Sequence, residues 1–199
     1  MVRDGIYYGL GLSLAAALLG WLAGPWFSAP LLALAAFCLW FFRDPERRIP
    51  AGELAVSPAD GRVLAVRQES GNLTRVSIFM NIFDVHVNRA PIAGRIAALD
   101  YRKGRFLVAS RDQAAVLNEQ NSVTIDAGET QVTFKQIAGV IARRIVFYKQ
   151  PGDAVGRGER VGLIKFGSRV DVFLGPEWRV EVRPGQRVKA GSSILARRS

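Results

Sequence analysis

The sequence predicts a mainly β protein, a β-sandwich or barrel, preceded by an N-terminal membrane helical hairpin. Three observations predict it. The first 42 residues are almost uncharged. From residue 60 onward, apolar and β-branched runs recur every 8 to 14 residues between Gly, Asn and Asp, the spacing of short antiparallel strands. Finally, a turn-strand-turn pattern occurs twice at an offset of 33 residues.

The hairpin comes first. No charged residue lies between Gly5 and Phe42. That length exceeds one span and falls slightly short of two, because a bilayer core needs about 20 residues per helix. Gly24-Pro25 and Pro30 supply a break. Two helices of about 16 residues would each reach about 24 Å, enough to span a thin bilayer or dip into it. A cleaved signal peptide competes, but Asp4 offsets Arg3 and the apolar run outlasts a normal h-region. Arg3 flanks one end and Arg43, Arg47 and Arg48 the other, with no charge on the turn. The positive-inside rule therefore puts both ends, and the domain that follows, on the cytoplasmic face of the cell (inner) membrane. Tyr7, Trp21, Trp26 and Trp40 stand where interfacial aromatics belong. Residues 1–42 are read as the anchor and 43–199 as the β-rich domain.

Residues 43–199 carry 26 of the 27 Lys/Arg and 16 of the 17 Asp/Glu, a net charge of +10. Such an excess attracts polyanions. No recognition-helix, zinc-finger or aromatic RNA-binding pattern accompanies it, so nucleic acid is not the expected partner. Beside an anchor, the expected partner is an anionic membrane surface, with a merely solvated basic face as the bland alternative. The only Cys, Cys38, lies in the hairpin and the only His is His86. This excludes a disulfide framework and the common zinc sites, and no metal is expected.

The strand runs follow in order: RVLAVRQ, RVSIFMNIF, GRIAALDYR, SVTIDA, TQVTFKQIA, ARRIVFYK, RVGLIKF, RVDVFLG and WRVEVRP. Between them, Gln113 to Asn118 reads as a short helix or a loop. The repeat pairs Pro151/Pro184, Gly152/Gly185, Val155/Val188, Gly158/Gly191 and Val161/Ile194. It resembles the lipoyl-like (hammerhead) β-unit and implies two quasi-symmetric halves.

Three polar positions invite a chemical reading. Asp60 sits in S-P-A-D-G, which turn propensity alone explains. His86 is the one side chain whose unperturbed pKa suits proton transfer near neutrality. Alternation through Phe83-Asp84-Val85-His86-Val87 would set it opposite the valines, as catalytic base or as a partly exposed strand histidine. Gly167-Ser168 interrupts the strand-like GLIKFGSRVDVFLG. A β-bulge would account for the glycine, and so would a reactive peptide bond. A serine hydroxyl needs a positioned base, and that base an orienting partner; Ser168, His86 and Asp60 supply those types.

VSPADGRV, FDVHVNRAP, NEQNSV, QIAGVIARRIV and above all GERVGLIKFGSRVDVFL resemble phosphatidylserine decarboxylase proenzymes of the short, membrane-associated prokaryotic type. The likeness covers nearly the whole chain. It implies self-cleavage by serinolysis at Gly167-Ser168, here in the form Phe166-Gly167-Ser168-Arg169. The products would be a large β chain, residues 1–167, and a small α chain, residues 168–199, held together as a heterodimer. It further implies a pyruvoyl cofactor derived from Ser168 and a Schiff base between its carbonyl and the amine of phosphatidylserine. Release of CO2 and phosphatidylethanolamine would follow. His86 is then the base and Asp60 the residue that orients it. Further self-association is compatible with the sequence. The rival from another class is a membrane-tethered lipoyl-like adaptor that binds without chemistry and stays a single chain.

Overall fold

The structure, a computed structural model, describes residues 2–140, 144–165 and 167–198. Residues 141–143, within Q-I-A-G-V-I-A-R-R-I-V, and Phe166, in the expected cleavage motif, lie outside the described residues. The chain divides into two compact units, Met1–Glu46 and Arg47–Ser199.

The first unit is a pair of helices, α1 (Arg3–Ala23) and α2 (Pro25–Phe41). Their lengths of 21 and 17 residues exceed the expected 16. Two of the extra residues are Arg3 and Asp4 at the start of α1, the acid sitting favourably in the first turn; the others are gained because the break takes a single residue. The break is made by Gly24 alone, at φ +104°, followed by Pro25 at the first helical position, where its missing N–H costs nothing. Pro30, expected to share in the break, lies inside α2. The Val2 amide donates to the Phe42 carbonyl at 3.1 Å, so the helices run antiparallel. Gly5 and Gly9 pack directly on Phe42 and Leu39, leaving no room for a side chain, the small-residue contact that lets apolar helices approach without a hydrophobic driving force. By length and composition α1 can cross a membrane; α2 is apolar but shorter.

The second unit is mainly β. Its strands are β1 (Leu54–Val56), β2 (Gly61–Gln68), β3 (Thr74–Met80), β4 (Val87–Arg89), β5 (Gly94–Arg102), β6 (Gln120–Asp126) and β7 (Gln131–Ile137), then β8 (Ile145–Phe147), β9 (Ala154–Val155), β10 (Arg160–Ile164), β11 (Ser168–Leu174), β12 (Trp178–Val180), β13 (Arg187–Val188) and β14 (Ile194–Arg198). A short helix, α3 (Ala114–Leu117), falls where a helix or loop was expected. Each of the nine predicted runs contains a strand. An eight-stranded sheet in the order β13-β2-β3-β11-β7-β6-β5-β9 is joined by two three-stranded sheets, β1-β14-β12 and β4-β10-β8. Their strand pairs are antiparallel.

The repeat has a structural counterpart. Its first copy gives β9, on one edge of the large sheet, then β10, the centre of one small sheet; its second gives β13 on the opposite edge, then β14, the centre of the other. Gly158 and Gly191 share φ +75°, and both pack against the Ile49 side chain.

Between them lies β11, at the middle of the large sheet. Val170, Val172 and Leu174 alternate onto its core face with Val76, Ile78 and Phe134, all fully buried. Burying each such side chain is worth about 1.5–3 kcal/mol, which fixes the register, since a one-residue slip would turn the whole set outward.

Candidate active site

Ser168 is the first residue of β11 and pairs with Met80, the last of β3. It is fully buried, and its hydroxyl donates to Met80 Sδ at 3.4 Å. Gly167 has φ +57°, the left-handed region that L side chains avoid. β10 ends at Ile164 and β11 begins at Ser168, so the Gly-Ser step is not a bulge inside one strand. It is the crossing from a small sheet to the large one. Gly139 completes the crossing: a Cβ there would fall on the Gly167 carbonyl oxygen.

His86 is 2% exposed, so of its two readings the partly exposed strand histidine does not hold. Residues 81–86 form a turn, and β4 starts only at Val87. Two Asx side chains hold that turn. Asp84 Oδ2 accepts the Asn81 amide at 2.9 Å and Asn81 Oδ1 accepts the Phe83 amide at 2.7 Å, local bonding that competes with strand pairing. The His86 carbonyl accepts the Ile164 amide at 3.2 Å, which ties the histidine to the end of β10 beside the crossing. His86 Nδ1 lies 2.9 Å from the Asp84 carbonyl. A nitrogen facing a carbonyl must carry the proton, so Nε2 keeps the lone pair that a base needs.

Asp60 closes the turn before β2. Its Oδ1 accepts the Ala190 amide at 2.7 Å, and Arg47 Nη2 reaches Oδ1 at 3.0 Å and Oδ2 at 2.8 Å. No hydrogen bond joins Asp60 to His86 among the described residues; a backbone carbonyl sets the tautomer instead. Burial pushes the Asp60 carboxyl above its ordinary value, the Ala190 amide and Arg47 pull it back, and the charge of Asp84 adds to the rise. Asp84 itself pairs with Arg187 at 3.3 Å.

Two polar constructions beside Ser168 had no signal in the sequence. On the face of β11 away from the core, Arg169 Nε and Nη2 grip Asp171 at 2.6 and 3.0 Å, and Nη2 also reaches Ser77 Oγ at 2.8 Å. On the other side runs a row of carboxamides. Asn121 Nδ2 donates to Gln136 Oε1 at 3.0 Å, and Gln136 Nε2 to Asn88 Oδ1 at 2.9 Å. Asn88 Nδ2 faces Met80 Sδ at 3.9 Å and the Pro58 carbonyl at 3.4 Å. The serine and histidine thus flank one crossing, while the aspartate is fastened by Arg47 and Ala190.

Comparison with known proteins adds the chemistry's name. The phosphatidylserine decarboxylase family pattern matches residues 34–196. The phosphatidylserine decarboxylase proenzyme of Solibacter usitatus (strain Ellin6076) is 65% identical over 198 residues, covering 100% of this chain and 97% of that protein. The proenzyme of that name from Syntrophus aciditrophicus (strain SB) is 42% identical over 204 residues, covering 98% of this chain and 96% of its own.

Proposed function

This chain belongs to the phosphatidylserine decarboxylase family, enzymes of phospholipid biosynthesis made as proenzymes, and on that premise we propose that it cuts itself at Gly167-Ser168 and thereafter decarboxylates phosphatidylserine to phosphatidylethanolamine. The binding-only alternative falls with family membership. One observation carries the reading: a left-handed Gly167 delivers a fully buried Ser168 to the head of the central strand, with Gly139 packed on the carbonyl under attack.

His86 Nε2 takes the proton of Ser168 as its oxygen adds to the Gly167 carbonyl. The acyl group moves from nitrogen to oxygen, giving an ester. Loss of the Ser168 α-proton expels the residue 1–167 carboxylate and leaves a dehydroalanine, whose imine tautomer takes up water and sheds ammonia. The remaining piece, 168–199, begins with a pyruvoyl group. One cut per molecule suffices, so a half-life near an hour serves, a barrier of about 22 kcal/mol.

Asp60 has a part to play in that proton transfer. A carboxylate offers about four acceptor sites, of which Arg47 and Ala190 use three. The remaining site, on Oδ2, serves the imidazolium formed when His86 is protonated.

The residues present fit the group. Glycines at 167 and 139 leave the backbone clearance that its formation needs, and Ser168 is shielded from water. A ketone at residue 168 supplies an electrophile for an amine and a sink for the electrons released with CO2. The two chains stay associated because β11 lies between β3 and β7, both from the large chain. The substrate is a bilayer lipid, so the hairpin and the basic surface hold the domain, read as 43–199, at the cytoplasmic face of the membrane. The edge strands and their small-sheet partners are read as two hammerhead units, β9–β10 and β13–β14, around the site.

Intact mass tests the proposal. The purified protein should give two pieces divided at 167/168, the smaller with a carbonyl in place of an amine, and Ser168→Ala should stay whole. An unbroken wild type that decarboxylates the lipid would refute it.

A further inference from the structure

Asn88 is fully buried on β4, yet its side-chain amine has poor acceptors. Its oxygen is well bonded to Gln136 at 2.9 Å, whereas its NH2 meets only a carbonyl at 3.4 Å and a thioether at 3.9 Å. A buried donor in that condition calls for an explanation. The orientation is imposed, because Asn121 orients Gln136 and Gln136 takes the Asn88 carbonyl. The NH2 is therefore held toward Met80, the same sulfur that receives the Ser168 hydroxyl at 3.4 Å. Two donors converge on one soft, replaceable acceptor.

We propose that the Asn88 carboxamide is the group that receives the carboxylate of the substrate's amino-acid headgroup. This rests on the reading of Ser168 as the reacting centre. Ser168 and Asn88 are both fully buried in the uncut chain, so access to either follows the parting of residues 167 and 168. The chemistry favours this residue type. Decarboxylation drains negative charge from the carboxylate, so a cation bound there would stabilise the ground state more than the transition state and slow the reaction. A neutral NH2 orients the carboxylate without holding its charge. The neighbouring guanidinium groups are engaged elsewhere: Arg169 with Asp171 and Ser77, Arg47 with Asp60, Arg187 with Asp84.

The test uses the full chain in detergent micelles and two lipids that differ only in the carboxylate: phosphatidyl-3-hydroxypropionate and phosphatidylethanol, neither able to condense with a ketone. Binding is read by native mass spectrometry and cleavage by intact mass on the same samples. Wild type should prefer the carboxylate lipid by about tenfold, the worth of one hydrogen bond to a charged group. Asn88→Ala should bring the two lipids level while phosphatidylethanol binding is retained. Gln136→Met leaves Asn88 in place but frees its carboxamide to turn, and should lose roughly half of the preference on a logarithmic scale. An unchanged preference in Asn88→Ala, or an equal loss of both lipids, overturns the assignment. Should Asn88→Ala fail to fold, an unchanged preference in Gln136→Met overturns it. A wild type that divides at 167/168 but shows no preference overturns this assignment and leaves the cut standing, whereas a preference shown by a chain that stays whole overturns both, because Asn88 is closed off until the chain parts.

Discussion

Arg169 and Asp171, two residues apart on the same face of the central strand, form a two-pronged ion pair with contacts of 2.6 and 3.0 Å, at 2% and 1% side-chain exposure. Removing one partner strands a buried charge, which costs about 3–5 kcal/mol. Asp171→Asn should therefore lower the unfolding free energy by that order. Replacing both, as in Arg169→Met with Asp171→Leu, should restore most of it. Denaturant unfolding of the two variants in a Ser168→Ala background checks this; a double variant no better than the single one would show that the pair is not the source of the cost.

Gly139 offers a sharper probe of the crossing. A methyl group at this position meets the Gly167 carbonyl oxygen head-on, so Gly139→Ala must displace the carbonyl that we propose Ser168 attacks. Misplacement by about 1 Å costs on the order of a hundredfold in a positioned reaction. The expected outcome is a folded chain that cleaves roughly a hundredfold more slowly, followed as the ratio of whole to divided protein over time. Wild-type cleavage kinetics in this variant would place the attack elsewhere.

Asp60 gives a pH signature. Its folded-state carboxyl lies above the ordinary value, with burial as the largest cause, so the folded protein binds that proton more tightly than the unfolded chain does. The linked stability is fully present below the ordinary carboxylate pKa, about 3.9, and is lost as pH rises through the folded value. Asp60→Asn has no such proton. The wild-type advantage over Asp60→Asn should therefore shrink as pH rises from about 4 toward neutrality, measured by denaturation of uncut Ser168→Ala chains. An advantage that grows with pH would mean that the attraction of Arg47 outweighs burial.

These residues also show what a linear reading reaches. The nine strand runs and the hairpin were legible because they rest on local periodicity and composition, whereas at α3 a helix and a loop had both stayed open. The 33-residue repeat foretold equivalent glycines at 158 and 191, because a left-handed turn needs the same residue wherever it recurs. Of the two readings of His86, the partly exposed strand histidine failed, since strand alternation had been extended across Asn81 and Asp84, whose side chains turn the chain. Arg47 read as part of the flank of a membrane anchor, although it holds Asp60. Asn88, Gln136 and Asn121 come from three strands in two sheets, and their alignment exists only after the sheets have formed. Pairings of that kind carry no periodic signal.

Met80 tests whether the serine is restrained before the cut. Its thioether is the acceptor of the Ser168 hydroxyl at 3.4 Å, a contact that points the proton toward sulfur and away from a base. Leu is close to Met in volume, and such a swap in a core costs less than about 1.5 kcal/mol, so Met80→Leu should fold. Without the sulfur the hydroxyl loses its resting partner. A neutral hydrogen bond is worth about 0.5–1.5 kcal/mol, and its loss from the ground state alone lowers the barrier by as much. Cleavage of Met80→Leu should then run roughly two- to tenfold faster than wild type, in a time course of intact mass begun at synthesis. A slower cut would assign the sulfur the opposite role, that of aiming the hydroxyl at the Gly167 carbonyl.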